Sequence, residues 1–322
     1  MTTLVTGGTG YIGAHIVDLL RGQGRSVVIV DDVVTGIEAR VPGVPIERFE
    51  LSEDAYVARL RELMIEHDVD EVVHLAARKQ VGESVQRPTW YYRQNVGGLA
   101  NLLTAMGEAG VSRLVFSSSA AVYGNGAGVP LRETDETRPV NPYGETKLVG
   151  EWMIRDAAVS GPLRAISLRY FNVAGAARPE LADRAVLNLI PMVFQKMDEG
   201  QNPVIFGDTY DTADGTCVRD FIHVADLADA HLAALSRLHE QAEPFDVFNV
   251  GTGRGYSVRD VVDEVARVSG TDLQPSVESP RPGDPGSVVA DADKIGRVLG
   301  WTATRSLTDM VSSAWSARES FR

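Results

Sequence analysis

Five short apolar runs in the first half of the chain have the pattern of strands that are buried on both faces. They are rich in valine, isoleucine and leucine and do not alternate with polar residues, which is typical of a parallel sheet. Two stretches between them, IGAHIVDLLRGQG and VGGLANLLTAMGEAG, have helical periodicity and close on a glycine. This repetition predicts an α/β fold with a doubly wound parallel sheet and right-handed crossovers. The runs read TLVTG, SVVIVD, EVVHLA, RLVFSSS and AISLRYF.

The pattern changes after Asn172, where prolines and glycines become more frequent and the helical stretches become shorter. We therefore predict a first domain over residues 1–171 and a smaller C-terminal substrate-binding lobe over residues 172–322. Residues 223–250 again have the pattern of a helix followed by a strand, and we expect them to return to the first domain.

Composition narrows the classes of partner. The chain has 322 residues and a net charge of −13, which argues against nucleic acid or an anionic membrane as the main partner. Cys217 is the only cysteine, so no internal disulfide can form and a reducing compartment is expected. No run of membrane-spanning length is present, and we expect a cytoplasmic protein. His223 has no second ligand at useful spacing, so no metal site is predicted.

A glycine-rich stretch, VTGGTGYIG, follows the first apolar run and opens the first helical stretch. Gly7, Gly10 and Gly13 allow a tight turn that brings backbone N–H groups, and then a helix N-terminus, close to a pyrophosphate. Asp31 ends the second run, where a carboxylate can bond ribose hydroxyls and repels a 2′-phosphate, and Asp32 adds to that charge. The first domain is therefore predicted to be Rossmann-like and to bind NAD rather than NADP.

The stretch NPYGETK places Tyr143 and Lys147 one helical turn apart, just after a proline that suits the first turn of a helix. A cation beside a phenol favours the phenolate, so we expect Lys147 to lower the pKa of Tyr143. That would make the tyrosine a usable general base or acid near neutrality. Taken alone, such a pair more often means a packed tyrosine and a solvated lysine, and it becomes informative only with a cofactor site nearby.

Together with the glycine motif, the stretch SSSAAVYG at Ser117–Gly124 and the pair Tyr143-x-x-x-Lys147 resemble the extended short-chain dehydrogenase/reductase superfamily. Within it, the chain is similar to the UDP-glucose 4-epimerases. The matching pieces run almost from end to end, and the run around DGTCVRDFIHV is the most specific. The other pieces are HLAARKQVGESVQRP, NPYGETK, LRYFNVAGA, VIFGDTYDTADGTCVRDFIHVADLADAH and RPGD.

The resemblance implies reversible 4-epimerisation of a UDP-hexose, either UDP-glucose and UDP-galactose or also their N-acetyl forms. Tyr143 takes the proton of the sugar 4-hydroxyl, NAD⁺ takes the C4 hydride, and the 4-keto sugar turns before hydride returns to its other face. Ser119 bonds the substrate oxygen and relays the proton. Lys147 binds the nicotinamide ribose and tunes the tyrosine.

The same resemblance implies contacts for individual residues. The cofactor contacts are Gly7, Gly10, Tyr11, Ile12, Gly13, Asp31, Asp32, Lys79, Asn95, Ser117, Tyr143, Lys147, Tyr170 and Phe171. The UDP-sugar contacts are Ser119, Tyr143, Asn172, Asn188, Leu189, Phe206, Arg219, Arg281 and Asp284, with Val288 as a gate beside the sugar. It further implies a homodimer formed by helices that begin near Val85–Asn95 and near Tyr143.

This chain departs from the family pattern at three places. Leu51 and Ser52 stand where the family has Gly-Asp, with the aspartate near the adenine. Arg78 precedes Lys79, where a neutral residue is common. The segment from Ala176 to Leu187 is short, so the wall of the sugar pocket is undefined.

Three other functions remain as alternatives. A 4,6-dehydratase or a decarboxylase of the same fold places a carboxylate just before VYG, but here Ala120 and Ala121 stand there and cannot transfer a proton. A dinucleotide-sensing protein without catalysis would lack the tyrosine and the lysine that this chain retains. Epimerisation of UDP-glucuronate stays open, because a few pocket side chains set the sugar specificity.

Overall fold

A seven-stranded parallel sheet forms the centre of the molecule, in a computed structural model that describes residues 1–125, 130–240, 243–281 and 283–319. The strands are β1 Thr2–Thr6, β2 Ser26–Asp31, β3 Ile46–Arg48, β4 Val69–His74, β5 Arg113–Ser119, β6 Arg164–Tyr170, β7 Asn172–Ala174, β8 Val204–Phe206, β9 Val218–His223, β10 Phe245–Val250, β11 Gly255–Ser257, β12 Ser276–Glu278 and β13 Ser287–Val288. The helices are α1 Tyr11–Gly22, α2 Val57–Glu66, α3 Val81–Gln86, α4 Pro88–Tyr91, α5 Gly98–Ala109, α6 Pro142–Ser160, α7 Leu189–Asp198, α8 Val224–Leu238, α9 Val258–Ser269, α10 Asp293–Leu299 and α11 Leu307–Glu319.

The strand order in this sheet is β10-β6-β5-β4-β1-β2-β3, and every pairing in it is parallel. The chain therefore starts in the middle, builds outward through β2 and β3, and then returns to build β4, β5 and β6 on the other side of β1. The reversal falls between β1 and β4, which is where ligands bind in open α/β sheets. The predicted doubly wound, Rossmann-like fold is confirmed.

Each face of the sheet is covered by helices with an apolar stripe. On one face, Ile16 and Leu20 of α1 lie one turn apart and pack with Leu227 and Leu235 of α8. On the other, α2, α5 and α6 contribute a second cluster that includes Leu63, Leu102 and Ile154. Burial of each such side chain contributes about 1.5–3 kcal/mol to the stability of the fold. The helices are therefore held firmly against the sheet, and so is the sheet edge from which the loops project.

The second half of the chain contributes both to the large sheet and to smaller sheets. Residues of α8 pack on the large sheet, and β10 pairs with β6 to become its last strand. A smaller sheet joins β11, β9 and β13, with β7 also pairing with β9, and β12 pairs with β8. Across the described ranges, no helix has both the length and the apolar character needed to cross a membrane.

Candidate active site

One cleft of about 540 Å³ collects most of the predicted cofactor residues. It opens where β1, β2 and β4 end, at the reversal point of the sheet. Ser117 and Phe171 are the predicted cofactor residues that do not line it. Those that do are Gly7, Gly10, Tyr11, Ile12, Gly13, Asp31, Asp32, Lys79, Asn95, Tyr143, Lys147 and Tyr170.

The glycine turn between β1 and α1 leaves no space for a side chain at Gly7 or Gly13. Gly7 has a left-handed backbone with φ of +73°, and a Cβ there would lie 2.8 Å from the backbone nitrogen of Ala76. A Cβ on Gly13 would lie 2.2 Å from the carbonyl oxygen of Gly7. The turn therefore brings the first N–H groups of α1, which have no partner within the helix, to the wall of the cleft. This arrangement suits the pyrophosphate of a dinucleotide.

Asp31 is fixed by the backbone at the end of β2. Its Oδ2 accepts a hydrogen bond from the N–H of Thr9 at 3.0 Å, and its Oδ1 accepts one from the N–H of Val33 at 2.8 Å. These bonds join the β2 end to the glycine turn. A carboxylate held in this way, buried and lining the cleft, is placed where ribose hydroxyls bind in this fold.

Asp32 has a different environment, because its side chain forms an ion pair with Arg78. Arg78 follows β4 and lines the same cleft. It is the residue at which the chain departs from the family pattern before Lys79. The charge that Asp32 was expected to add at this place is therefore balanced by an adjacent guanidinium.

Helix α6 presents the predicted catalytic pair. Asn141 caps the helix by accepting a hydrogen bond from the N–H of Gly144 at 2.9 Å, and Pro142 occupies the first turn. Tyr143 and Lys147 follow one turn apart, only 8% and 3% exposed. Both line the cleft.

The ammonium group of Lys147 is directed at the end of β5. It donates a hydrogen bond to the carbonyl oxygen of Ser117 at 2.8 Å and lies 4.9 Å from the ring centre of Phe116. Burial lowers the pKa of Lys147 to about 7, although the carboxylate of Glu151 raises it. The group therefore titrates near neutrality in the protein alone.

Burial raises the pKa of Tyr143 above its usual value, and a hydrogen bond with Ser119 partly offsets that rise. The expectation that Lys147 lowers this pKa is wrong for the protein without a cofactor, because the influences on Tyr143 are burial and Ser119. The Lys147 ammonium donates instead to the carbonyl oxygen of Ser117, and burial lowers the pKa of Lys147 itself to about 7. Tyr143 alone is a phenol at neutral pH.

Ser117 lies beneath the cleft and is fully buried. Its hydroxyl is 2.9 Å from Nε2 of His231, whose Nδ1 is 2.9 Å from the carbonyl oxygen of Leu227. Burial lowers the pKa of His231 to about 4, so the ring is neutral. Its Nδ1–H donates to the Leu227 carbonyl oxygen, and its Nε2 accepts a hydrogen bond from the Ser117 hydroxyl. The structure thus places Ser117 behind Lys147, which it holds through its carbonyl group.

Asn95 lies in a turn of π-helix, Tyr92–Gly97, between α4 and α5. Its side chain accepts a hydrogen bond from the N–H of Arg78 at 2.8 Å and donates to the Arg78 carbonyl oxygen at 3.0 Å. It also donates to the hydroxyl of Thr146 on α6 at 3.0 Å. Asn95 therefore connects the segment that carries Lys79 to the helix that carries Tyr143.

Three predicted substrate residues, Asn172, Asn188 and Leu189, line a second cavity of about 260 Å³. Tyr11, Asp183 and Arg184 line both this cavity and the larger cleft, so the two are adjacent. Asn188 donates a hydrogen bond to Asp183 at 2.7 Å. Asp183 and Arg184 lie in the short segment after Ala176 and were not predicted, because their role depends on where that segment folds.

Except for Tyr143, the other predicted substrate residues do not line either cavity, and apart from Ser119 on β5 they belong to the stretch between residues 206 and 288. The guanidinium of Arg281 lies 3.9 Å from the ring centre of Phe206. Arg219 donates to the carbonyl oxygen of Pro285 at 2.8 Å, next to Asp284. Val288 is paired with Arg219 between β13 and β9. The structure thus groups these residues with one another. Arg219 belongs to β9, and the same strand continues to Phe221, which lines the second cavity.

Several polar or aromatic residues of the cleft were missed by the sequence prediction. Trp90, Gln94 and Glu50 line it together with Arg78. Gln94 belongs to the π-helical turn and Trp90 to α4, and no sequence motif marks either of them. The only signal in the sequence was the replacement of Gly-Asp by Leu51 and Ser52. It lies next to Glu50, and Gln94 donates hydrogen bonds to both Glu50 and Ser52.

Comparison with known proteins gives consistent matches. A family model described as the NAD dependent epimerase/dehydratase family matches residues 3–251. The UDP-glucose 4-epimerase of Azospirillum brasilense is 44% identical over 319 residues, which cover 97% of this chain and 90% of that protein.

Two solved structures have the same fold along their whole length. The UDP-glucose 4-epimerase of Stenotrophomonas maltophila, with bound NAD and formylated UDP-arabinopyranose, has a TM-score of 0.94 and 39% identity, covering 100% of this chain and 98% of that one. The UDP-glucose 4-epimerase of Brucella ovis, in complex with NAD, has a TM-score of 0.92 and 38% identity, covering 98% of each chain.

Proposed function

The chain belongs to the NAD dependent epimerase/dehydratase family, and from that premise we propose that it is an NAD-dependent enzyme for the reversible 4-epimerisation of UDP-hexoses. The observation that carries the proposal is the composition of the cleft. The glycine turn, the β2 carboxylate and the buried pair Tyr143 and Lys147 all line it. The two solved relatives contain NAD, and one of them also contains a UDP-sugar.

In the proposed mechanism, Tyr143 removes the proton of the sugar 4-hydroxyl and later returns it. When bound, oxidised NAD supplies an acceptor for the hydride from C4 of the sugar, and a positive charge that favours the tyrosinate. Ser119 lies close enough to Tyr143 to lower its pKa and is proposed to relay the proton. Lys147 is held by the Ser117 carbonyl, and its ammonium can bond a ribose hydroxyl. The burial of both side chains keeps bulk water away from the proton transfer.

The turn after β5 argues against elimination of water from the sugar. Ala120–Tyr123 forms a 3-10 turn, capped by the Ser119 hydroxyl, which accepts a hydrogen bond from the N–H of Ala121 at 3.1 Å. Neither alanine at this place can carry a proton. A dehydratase would need an acidic side chain here, so epimerisation is the function that this turn supports.

Incubation of the purified protein with a panel of UDP-sugars tests the proposal. UDP-glucose, UDP-galactose, UDP-N-acetylglucosamine and UDP-glucuronate should each be analysed by chromatography, without added NAD. Conversion of UDP-glucose into UDP-galactose is the expected result. Exclusive turnover of UDP-glucuronate, or formation of a 4-keto-6-deoxy sugar, would contradict it.

The sugar pocket is further proposed to admit an N-acetyl group, with Val288 as the gate. Val288 lies next to Arg219 in the small sheet and packs against the cluster that contains Phe171 and Tyr123. Valine is several heavy atoms smaller than tyrosine, which leaves space beside C2 of the sugar.

Val288→Tyr should therefore suppress turnover of UDP-N-acetylglucosamine by about tenfold or more, which corresponds to about 1.4 kcal/mol, and spare that of UDP-glucose. The measurement is kcat/KM for each sugar, with Val288→Ala as the control that keeps the gate small. A wild-type enzyme inert toward the acetamido sugar, or a tyrosine variant with unchanged preference, would refute the gate.

A homodimer is also proposed, through the face formed by α3, the π-helical turn and α6. Val85, Tyr92 and Trp152 are exposed on these elements, at 62%, 37% and 47%. Large apolar side chains that stay exposed on adjoining elements are typical of a surface that a partner covers. Light scattering at micromolar concentration should give twice the chain mass of 34.8 kDa, and a monomeric mass would contradict the proposal.

A further inference from the structure

The two carboxylates at the end of β2 are held in different ways. Both oxygens of Asp31 accept backbone hydrogen bonds, from Thr9 and Val33. Asp32 accepts one from the N–H of Val34 at 3.1 Å, and its other oxygen forms the ion pair with Arg78. The paired side chains are 25% and 15% exposed, and both line the cofactor cleft.

Arg78 is anchored on several sides besides this ion pair. Its Nε donates a hydrogen bond to Oε1 of Gln94 at 3.2 Å, and its backbone N–H donates to Asn95. The guanidinium also lies 5.3 Å from the ring centre of Trp90. These contacts keep the cation in the cleft wall at the end of β2.

A continuous polar network extends from Arg78 to the other family departure, beside Leu51. Gln94 donates to the hydroxyl of Ser52 at 2.9 Å and to the carboxylate of Glu50, and Ser52 donates to Glu50 as well. Arg78 contributes to lowering the pKa of Glu50, after the larger effect of the Ser52 hydrogen bond. The two departures from the family pattern are therefore one connected structure around this end of the cleft.

The chemistry of the two nicotinamide dinucleotides makes this arrangement significant. In this fold an acidic residue at the end of the second strand bonds the ribose 2′-hydroxyl, whereas a nearby arginine accommodates a 2′-phosphate. This chain has both groups, and its arginine, Arg78, is in contact with Asp32, the carboxylate that follows Asp31. An arginine binds a phosphate through the same N–H donors that bind a carboxylate, so Asp32 and a 2′-phosphate would compete for Arg78.

We propose that Asp32 determines cofactor specificity through Arg78: it occupies the guanidinium that would otherwise bind a 2′-phosphate, so the NAD site contains a blocked NADP site. This inference rests on the proposed use of NAD. Asp31 is unchanged in both forms of the site: its carboxylate still favours the ribose hydroxyls over a 2′-phosphate, so freeing Arg78 raises NADP binding without excluding NAD.

The test measures which nucleotide the protein takes up rather than its activity. Wild type, Asp32→Ala, Arg78→Ala and the double variant are equilibrated with equal concentrations of NAD⁺ and NADP⁺. Bound nucleotides are then released by acid and quantified by chromatography. Asp18→Ala is the matched control, since it removes one carboxylate from a surface ion pair with Arg178, away from the cleft.

Asp32→Ala should raise the ratio of bound NADP to bound NAD by about tenfold or more over wild type, as expected for a freed charge-assisted contact. Adding Arg78→Ala should remove most of that gain, and the Asp18 variant should match wild type. If Asp32→Ala gives too little folded protein, Asp32→Asn should show a gain in the same direction that again depends on Arg78.

Two results would overturn the inference. A gain that persists in the double variant would mean that Asp32 repels the phosphate directly and that Arg78 has no part. The absence of any gain in Asp32→Ala and in Asp32→Asn would mean that the pair does not govern specificity. Wild-type protein that takes up neither nucleotide would contradict the proposed function itself, whereas NAD uptake by wild type with either failure contradicts only this inference.

Discussion

Tyr143→Phe should lower kcat for UDP-galactose by about a thousandfold, within the range that removal of a general acid–base group produces. The phenylalanine ring keeps the packing of a side chain that is only 8% exposed, but it carries no hydroxyl to take the proton. NAD should still be released from the denatured variant in near-stoichiometric amount. The measurements are initial rates and nucleotide content.

Tyr92→Phe is the matched control for this variant. The control also loses a tyrosine hydroxyl, which donates a hydrogen bond to Glu145 of α6 at 2.7 Å, but Tyr92 does not line the cleft. Turnover in this control should stay close to wild type. Near-normal turnover by the Tyr143 variant would remove this tyrosine from the mechanism.

Gly13→Ala should greatly weaken cofactor binding, because the added methyl group has nowhere to go. Its carbon would lie 2.2 Å from the Gly7 carbonyl oxygen and 2.8 Å from Cα of Gly8, both backbone atoms that cannot rotate away. The N-terminus of α1 must then move from the turn. Overpacking of this kind costs about 1–3 kcal/mol, which predicts roughly a 5- to 150-fold loss of NAD affinity if the strain appears in the site.

Gly22→Ala on the same helix is the control, since a Cβ there meets no atom within 4 Å. Calorimetric titration of cofactor-depleted protein with NAD⁺, together with the midpoint of thermal unfolding, should separate the two variants. Equal NAD affinity in both would show that the close approach of Gly13 to Gly7 is not required for binding.

The sequence predicted those features that depend on local pattern. The unbroken apolar runs correspond to β1, β2, β4, β5 and β6, and the glycine spacing anticipated the close contact of Gly13 with Gly7. The NPYGETK stretch anticipated a helix beginning at Pro142, because the cap, the proline and the four-residue spacing are all local.

Features that depend on distant contacts could not be predicted in this way. The Asp32–Arg78 pair joins residues 46 positions apart, and it arises only because β1 lies between β2 and β4 in the sheet. Likewise, the spacing of Tyr143 and Lys147 did not show that the ammonium bonds Ser117, 30 positions away. The raised pKa of Tyr143 follows from burial, which no short motif encodes.

The most direct test of the proposed function is the interconversion of UDP-galactose and UDP-glucose by the purified protein without added cofactor. Proton NMR of the hexose ring should show that each sugar nucleotide is converted until both reactions reach the same ratio, with NAD recoverable from the protein afterwards. Failure of NAD-containing protein to interconvert the two sugars from either direction would contradict the assignment of a UDP-hexose 4-epimerase.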